Sequence, residues 1–173
     1  VDAYAVNLFF TREGYFKKIT PQSYRMSSEH YLKEGDEVVQ HIEGTNADQL
    51  LFFTDRGQVY KARACDFEDT KASVLGDFIP AKLGMDDGES AIYMAVTADY
   101  QGYMLLNAYS MKEKLAAMLC VRKDTDLLLE DSNGRMLILP TGLLQPKATK
   151  DQQGVQVMKL TKGSVVSGAS LYT

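Results

Sequence analysis

The sequence predicts an all-β, propeller-like fold, and three observations carry that prediction. A strand–turn–strand pattern returns at fixed spacing: Asn7 to Lys18, Leu50 to Lys61 and Tyr93 to Met104 read alike, with Thr11, Thr54 and Thr97 spaced 43 positions apart. The apolar runs are short and rich in Leu, Phe, Tyr and Val, which suit a pleated, half-buried surface. Tyr109 to Leu115 offers a turn or two of helix, and no longer segment shows a 3.6-residue apolar period. Strand-rich units repeating at this period read as propeller blades, which must stack because one unit cannot bury its own apolar face.

Each unit opens with an apolar strand and turns on Thr/Asp-x-x-Gly, as in Thr11-Arg12-Glu13-Gly14 and Asp131-Ser132-Asn133-Gly134. Glycine supplies the positive φ that short hairpin loops need. Return strands follow at Tyr15 to Ile19, Gln58 to Arg63 and Arg135 to Leu139, and further strands are expected at Asp36 to Glu43, Ala91 to Val96 and Ala116 to Arg122. The unit expected is therefore a four-stranded blade. About four repeats, approximately 1–49, 50–92, 93–126 and 127–173, make one quasi-modular domain. A weaker fourth copy of the hairpin runs from Leu127 to Ile138. Gly102 to Gly134 spans only 32 positions, at least 11 short of the other repeats. Of two readings, a shortened blade or a basic loop missing between Leu105 and Leu106, the second is preferred, since a strand cut after three residues leaves a blade edge incomplete.

The 173 residues are 45% hydrophobic and 24% charged, ordinary for a soluble globular chain, and no stretch approaches the ~18 apolar residues of a membrane helix. Val1 leads almost directly into a strand, as expected of a piece of a longer protein. Cys65 and Cys120 lack metal-ligand spacing and are expected to be buried, reduced thiols. His30 and His41 stand apart and read as surface or turn residues. The net charge of −4 argues against a strongly basic nucleic-acid binder, although it is unevenly spread: residues 1–92 carry 10 Lys/Arg against 16 Asp/Glu, and residues 93–173 carry 9 against 7. Any nucleic-acid site must be a local stripe. Catalytic signatures are missing: there is no nucleophile elbow, P-loop, histidine pair or Cys-x-x-Cys.

The hairpin Leu50-Leu51-Phe52-Phe53-Thr54-Asp55-Arg56-Gly57-Gln58-Val59-Tyr60-Lys61 and its sister Phe9 to Lys18 resemble those of the C-terminal domain of the A subunit of bacterial type IIA topoisomerases, DNA gyrase and topoisomerase IV. Lys33 to Glu37, Leu106 to Ser110 and Gly154 to Leu160 are also similar to that family. The resemblance implies a β-pinwheel, a propeller-like disc whose neighbouring blades exchange strands. It implies a non-catalytic DNA-binding and DNA-bending or wrapping domain, without a cofactor of its own, in an ATP-dependent strand-passing enzyme. ATP and magnesium would be used through other domains or subunits of that enzyme. The implied partners are double-stranded DNA, the ATPase B subunit, and the remainder of the A subunit, with no membrane, in a bacterial cytoplasm at the nucleoid. Gyrase A subunits carry a basic, glycine-rich box of the QRRGGKG type after the first such hairpin. The corresponding Met26 to Gly35 has neither an arginine pair nor a glycine pair, which makes this chain look more like topoisomerase IV or a gyrase-like paralogue.

Duplex DNA is held mainly through phosphates, by cations set along a track. Aligning Gly14 with Gly57 puts Lys18 at the position of Lys61, and Arg63 lies two residues further along the same strand face. A rim of Lys18, Lys61 and Arg63 is the expected DNA track, with Lys17 adding charge and Arg12 and Arg56 in the turns. Lys147, Lys150, Lys159 and Lys162 form a second candidate patch. The bland reading of each is a solvated strand face. Tyr15, Phe16 and Tyr60 are read as packing between blades rather than as base-stacking platforms, and Asp86-Asp87-Gly88-Glu89 as a turn rather than a cation loop. The competing function is a propeller-type protein-interaction module. A small-molecule enzyme on a propeller scaffold would need convergent polar groups in a central pocket, and no candidate set is evident.

Overall fold

The computed structural model describes residues 1–97, 113–146 and 154–172. In chain order the elements are β1 (Ala5–Thr11), β2 (Tyr15–Ile19), α1 (Pro21–Met26), β3 (Val38–Thr45), β4 (Gln49–Thr54), β5 (Val59–Arg63), β6 (Asp69–Thr70), β7 (Asp77–Phe78), α2 (Ile79–Lys82), β8 (Ala91–Val96), β9 (Asp126–Asp131), β10 (Met136–Pro140) and β11 (Val166–Tyr172). The chain divides into two units, Val1–Tyr103 and Met104–Thr173.

One turn chemistry builds the hairpins β1–β2, β4–β5 and β9–β10. In each, the glycine amide donates to the carbonyl three residues back, Gly14 to Thr11, Gly57 to Thr54 and Gly134 to Asp131. The three glycines lie at φ 95°, 72° and 80°, a region closed to most side chains. The side-chain oxygen of the first turn residue then gathers the amides that follow. Thr11 Oγ1 accepts from Tyr15, Thr54 Oγ1 from Arg56 and Gln58, and Asp131 Oδ1 from Asn133 and Arg135. Thr and Asp are interchangeable at this position because both present a short acceptor to a tight loop.

In the first unit, β3-β1-β2-β6 form a sheet in which β7 also pairs with β2, and β5-β4-β8 form a second. Alternation along β1 sends Val6, Leu8 and Phe10 to one face, where they join Phe16 of β2 and Leu50, Phe52, Ala62, Met94 and Val96 of the second sheet in one buried cluster. Phe52 sits at its centre, its ring centroid 5.8 Å from Phe10 and 5.9 Å from Phe16. The opposite face of the first sheet buries Phe9, Ile19 and Ala72 against Tyr24 of α1 and Val38. Thr20 caps α1, its hydroxyl accepting from the Ser23 amide.

The first sheet is completed by chain that lies beyond the second hairpin. β6 runs parallel to β2, with Lys18 opposite Asp69, and β7 pairs antiparallel, with Tyr15 opposite Phe78. This is the strand exchange that the resemblance implies, and it makes the first sheet five-stranded.

Three expectations are corrected. The strand at Tyr93 takes a different place from the opening strands of the first two hairpins, and the expected return strand lies outside the described residues. β8 pairs antiparallel with β4 and closes the second sheet, the role β3 plays in the first. After β5 the chain spends residues 64–90 on β6, β7 and α2, so the segment in step with Thr54 by sequence arrives as a third strand. Ala116 to Arg122 forms no strand. Cys65 is half-buried and Cys120 exposed, so neither is a core thiol. Tyr103, the Leu105–Leu106 junction and Leu106 to Ser110 lie outside the described residues.

In the second unit, β10-β9-β11 form a three-stranded antiparallel sheet, with Leu129 opposite both Leu137 and Ala169. Arg135 joins its hairpin turn to the chain before β11 by donating from Nε to Asp131 Oδ2 at 2.8 Å and from Nη2 to the Lys159 carbonyl. The Arg135 side chain, with the amides of Arg135 and Asn133, holds the Asp131 carboxyl below its ordinary range.

Candidate nucleic-acid interface

The repeat places Lys18 and Lys61 at equivalent positions, and the structure gives them opposite environments. Lys18 lies opposite Leu8 on the face that packs against the second sheet. Only 3% of its side chain is exposed, and its Nζ pairs with Asp69 Oδ1 at 3.2 Å. The ammonium also stands 5.9 Å from the Tyr4 ring, whose hydroxyl donates to both Asp69 oxygens. The cause is β6, which brings Asp69 alongside β2 and closes it off from solvent. Lys18 is therefore a packing residue and is removed from the expected track.

Lys17 is corrected for the same kind of reason. It is 1% exposed on the other face of β2, and its Nζ donates to the Tyr31 and Ala72 carbonyls at 2.9 Å each. Burial pushes its pKa down to about 8, against the opposing pull of the Asp36 carboxylate. Arg12 is exposed but occupied, donating to Glu37 Oε1 at 2.9 Å and to the Gly35 carbonyl. Arg56 donates to the Asp87 carbonyl at 2.8 Å.

Lys61 and Arg63 remain from the expected set. Both are exposed, and neither makes an ion pair among the described residues. They lie opposite Leu51 and Gln49, on the face of the second sheet turned away from the Phe52 cluster. β5 is an edge strand in the sheet order, so no strand among the described residues covers them as β6 covers Lys18. Two residues apart on a strand, their side chains emerge about 7 Å from one another on one side. Arg25 in the last turn of α1 and Lys71 after β6 are also exposed and outside any ion pair among the described residues. The hairpin alignment did not single them out, because both lie in connections where the repeat is weakest. Lys159 and Lys162 are exposed and flank Thr161, whose hydroxyl accepts from Asn133 in the β9–β10 turn. Lys147 and Lys150 lie outside the described residues.

Of the three aromatics, the fully buried Phe16 alone joins the cluster between the two sheets. Tyr15 packs on Phe78 of its own sheet at 5.0 Å, and Tyr60 is held by a hydrogen bond that it donates to Glu89 Oε1 at 2.9 Å. Asp86 to Glu89 is a turn closed by the Glu89 amide on the Asp86 carbonyl, with Gly88 at φ 75°. Its Glu89 carboxylate points inward and accepts from Thr54 Oγ1 at 2.7 Å. No group of three or more metal-ligating side chains occurs among the described residues, and no helix there is long and apolar enough to cross a membrane.

These hairpins and exchanged strands define the class: an all-β, propeller-type repeat domain. Residues 48–73 match the family described as DNA gyrase C-terminal domain, beta-propeller. The chain is 30% identical over 105 residues to the DNA gyrase A subunit of Streptomyces coelicolor, covering 56% of this chain and 12% of that protein. It is 26% identical over 117 residues to the A subunit of DNA topoisomerase 4 from Staphylococcus epidermidis, covering 65% of this chain and 15% of that protein. Its fold matches the crystal structure of the C-terminal domain of DNA topoisomerase IV with a TM-score of 0.74 at 20% identity, covering all of this chain and 62% of that one. The chain is thus similar in sequence to gyrase and topoisomerase IV A subunits and shares the fold of the topoisomerase IV C-terminal domain. It spans about an eighth of the length of these two curated relatives.

Proposed function

We propose that this chain is a non-catalytic duplex-DNA-binding and DNA-bending domain from the A subunit of a type IIA topoisomerase, acting through local cations on an outer sheet face. The observation that carries the reading is the contrast within the repeat. Where a neighbouring segment covers the strand, the lysine is neutralised by Asp69; where no strand among the described residues pairs with the outer side of β5, Lys61 and Arg63 stand exposed together. Cations free of acidic partners on an open face are what a phosphate backbone takes up, and contact of this kind bends or positions DNA without reading bases. The full protein would be an ATP-dependent strand-passing enzyme in the cytoplasm at the nucleoid, in which this domain is partnered by the ATPase B subunit, together with the rest of the A subunit. ATP and magnesium would act through those other parts.

The test is a titration of the purified chain with a fluorescent duplex of ~40 base pairs over a series of salt concentrations. Binding that ignores sequence and weakens steeply with salt supports the proposal. Absence of binding at low salt would overturn it for this chain. It would favour the protein-interaction reading, for which the exposed Met136, Ile138 and Leu143 of the second unit are the specific support.

A further inference from the structure

Lys17 is an unusual residue for a strand interior: a buried ammonium held by groups from two separate connections. Its Nζ donates to the Tyr31 carbonyl in the 27–37 connection and to the Ala72 carbonyl in the 71–76 connection. The two connections also bond to each other, the Tyr31 amide donating to that same Ala72 carbonyl at 2.9 Å. The 71–76 connection lies hard against β2, so that a Cβ at Gly76 would fall 2.8 Å from Lys17 Cγ and 2.5 Å from the Phe16 carbonyl oxygen. The third partner of Lys17 is His30 Nδ1, at 3.2 Å.

An ammonium is a donor only, so His30 Nδ1 must accept and its proton must sit on Nε2. That Nε2 is buried and has no hydrogen-bond partner among the described residues. The ring is wedged edge-on against Phe9, centroids 4.5 Å apart, and lies 6.2 Å from Tyr24 of α1. We infer that Lys17 and His30 form a proton-sensitive clasp that fastens the 27–37 and 71–76 connections to the first sheet, closed while His30 is neutral and opened when it is protonated. Protonation would turn Nδ1 into a second donor facing the ammonium, removing one acceptor from Lys17 and placing two like charges side by side.

The surroundings support that sense. Burial, the Lys17 charge and His41 of β3 all hold the His30 pKa below its ordinary value. From the same connection Asp36 favours the charge on Lys17 rather than on His30, while Glu29 faces solvent and the exposed Lys33 lies with its ammonium 5.5 Å from the Tyr15 ring. A base whose pKa is lowered when the clasp is closed favours the open form as pH falls through and below its open-state value of about 6.5. At pH 5 the open form gains up to about 30-fold, the limit reached if closed His30 takes no proton. Lys17 stays charged below pH 7 in both forms, so this window reports His30.

The experiment is native-state amide exchange of the whole chain between pH 7 and 5, with protection factors corrected for intrinsic rates. The Tyr31 amide should lose between several-fold and about 30-fold in protection, while the Leu8 amide in β1 holds. His30→Gln offers an acceptor that cannot titrate and should flatten the Tyr31 profile. A Tyr31 profile that does not change with pH, or one that His30→Gln leaves intact, overturns the clasp. Should the variant fail to fold, NMR titration of His30 in the natural sequence decides: a pKa at or above 6.5 overturns the inference, and a lower one supports it. No DNA is present in these measurements, so they stand apart from the nucleic-acid proposal.

Discussion

Replacing Lys18 and Lys61 separately by Met tests whether equivalent repeat positions have diverged into packing and binding roles. Met keeps most of the stem's volume and removes the charge, so the comparison isolates the ammonium. At Lys18 the lost partner is Asp69, and the two side chains are 3% and 39% exposed. Breaking a fully buried pair costs about 3–5 kcal/mol, and a fully exposed one under ~1 kcal/mol. With one partner enclosed and the other reaching water, Lys18→Met should cost about 1–2 kcal/mol, roughly a 5- to 30-fold loss in the folding equilibrium. Lys61 has no such partner among the described residues, and Lys61→Met should stay within about 0.5 kcal/mol of the natural chain. The two should reverse on DNA: each phosphate contact adds about 0.9 to the slope of log affinity against log salt, so Lys61→Met should flatten the slope by up to that amount while folded Lys18→Met leaves it unchanged. Urea unfolding followed by circular dichroism and the salt-series titration supply the two readouts. Full stability in Lys18→Met, joined to a flattened slope, would refute the reasoning and put Lys18 on the DNA.

Phe52→Ala should destabilise the first unit by about 3–5 kcal/mol in the same unfolding assay, since this fully buried ring is shared by both sheets. Glu89→Gln tests the carboxylate behind the β4–β5 turn. Burial alone would raise its pKa, but hydrogen bonds from Thr54, Tyr60 and the Asp86 amide outweigh it and hold the group below its ordinary value. A depressed acid contributes stability that is present above its unfolded value of about 4.5 and is lost as pH falls through its folded one. The natural chain should therefore exceed Glu89→Gln by about 1–2 kcal/mol at pH 7, with the gap closing below pH 4.

The parts of the fold that local chemistry dictates were legible in the residues. Thr11, Thr54 and Asp131, each three residues before a glycine, marked three real turns, and Tyr15 to Ile19 was placed to the residue. The errors came where tertiary pairing decides. Alignment put Lys18 and Lys61 in one environment, but whether a strand is an edge depends on a segment some fifty residues away that carries only two paired residues, Asp69 and Thr70. Sequence alternation cannot register so short a strand. Lys17 was misjudged because a lysine in a strand reads as solvent-facing unless its carbonyl acceptors are known, and those belong to irregular connections. The 43-residue step to Thr97 was genuine as a spacing and misleading as topology, since α2 and the exchanged strands shift what arrives there.

The exchanged β6 and β7 also have a consequence for synthesis. A ribosome delivers the first hairpin, complete at Ile19, well before the strands that seal its outer edge, which end only at Phe78. For the whole of that interval the nascent first sheet exposes unpaired amides and carbonyls along β2, and Lys18 has no counterion. The first blade therefore cannot finish before the second hairpin has been made, which ties two successive modules into a single folding event and leaves a sticky edge as the toll of that order.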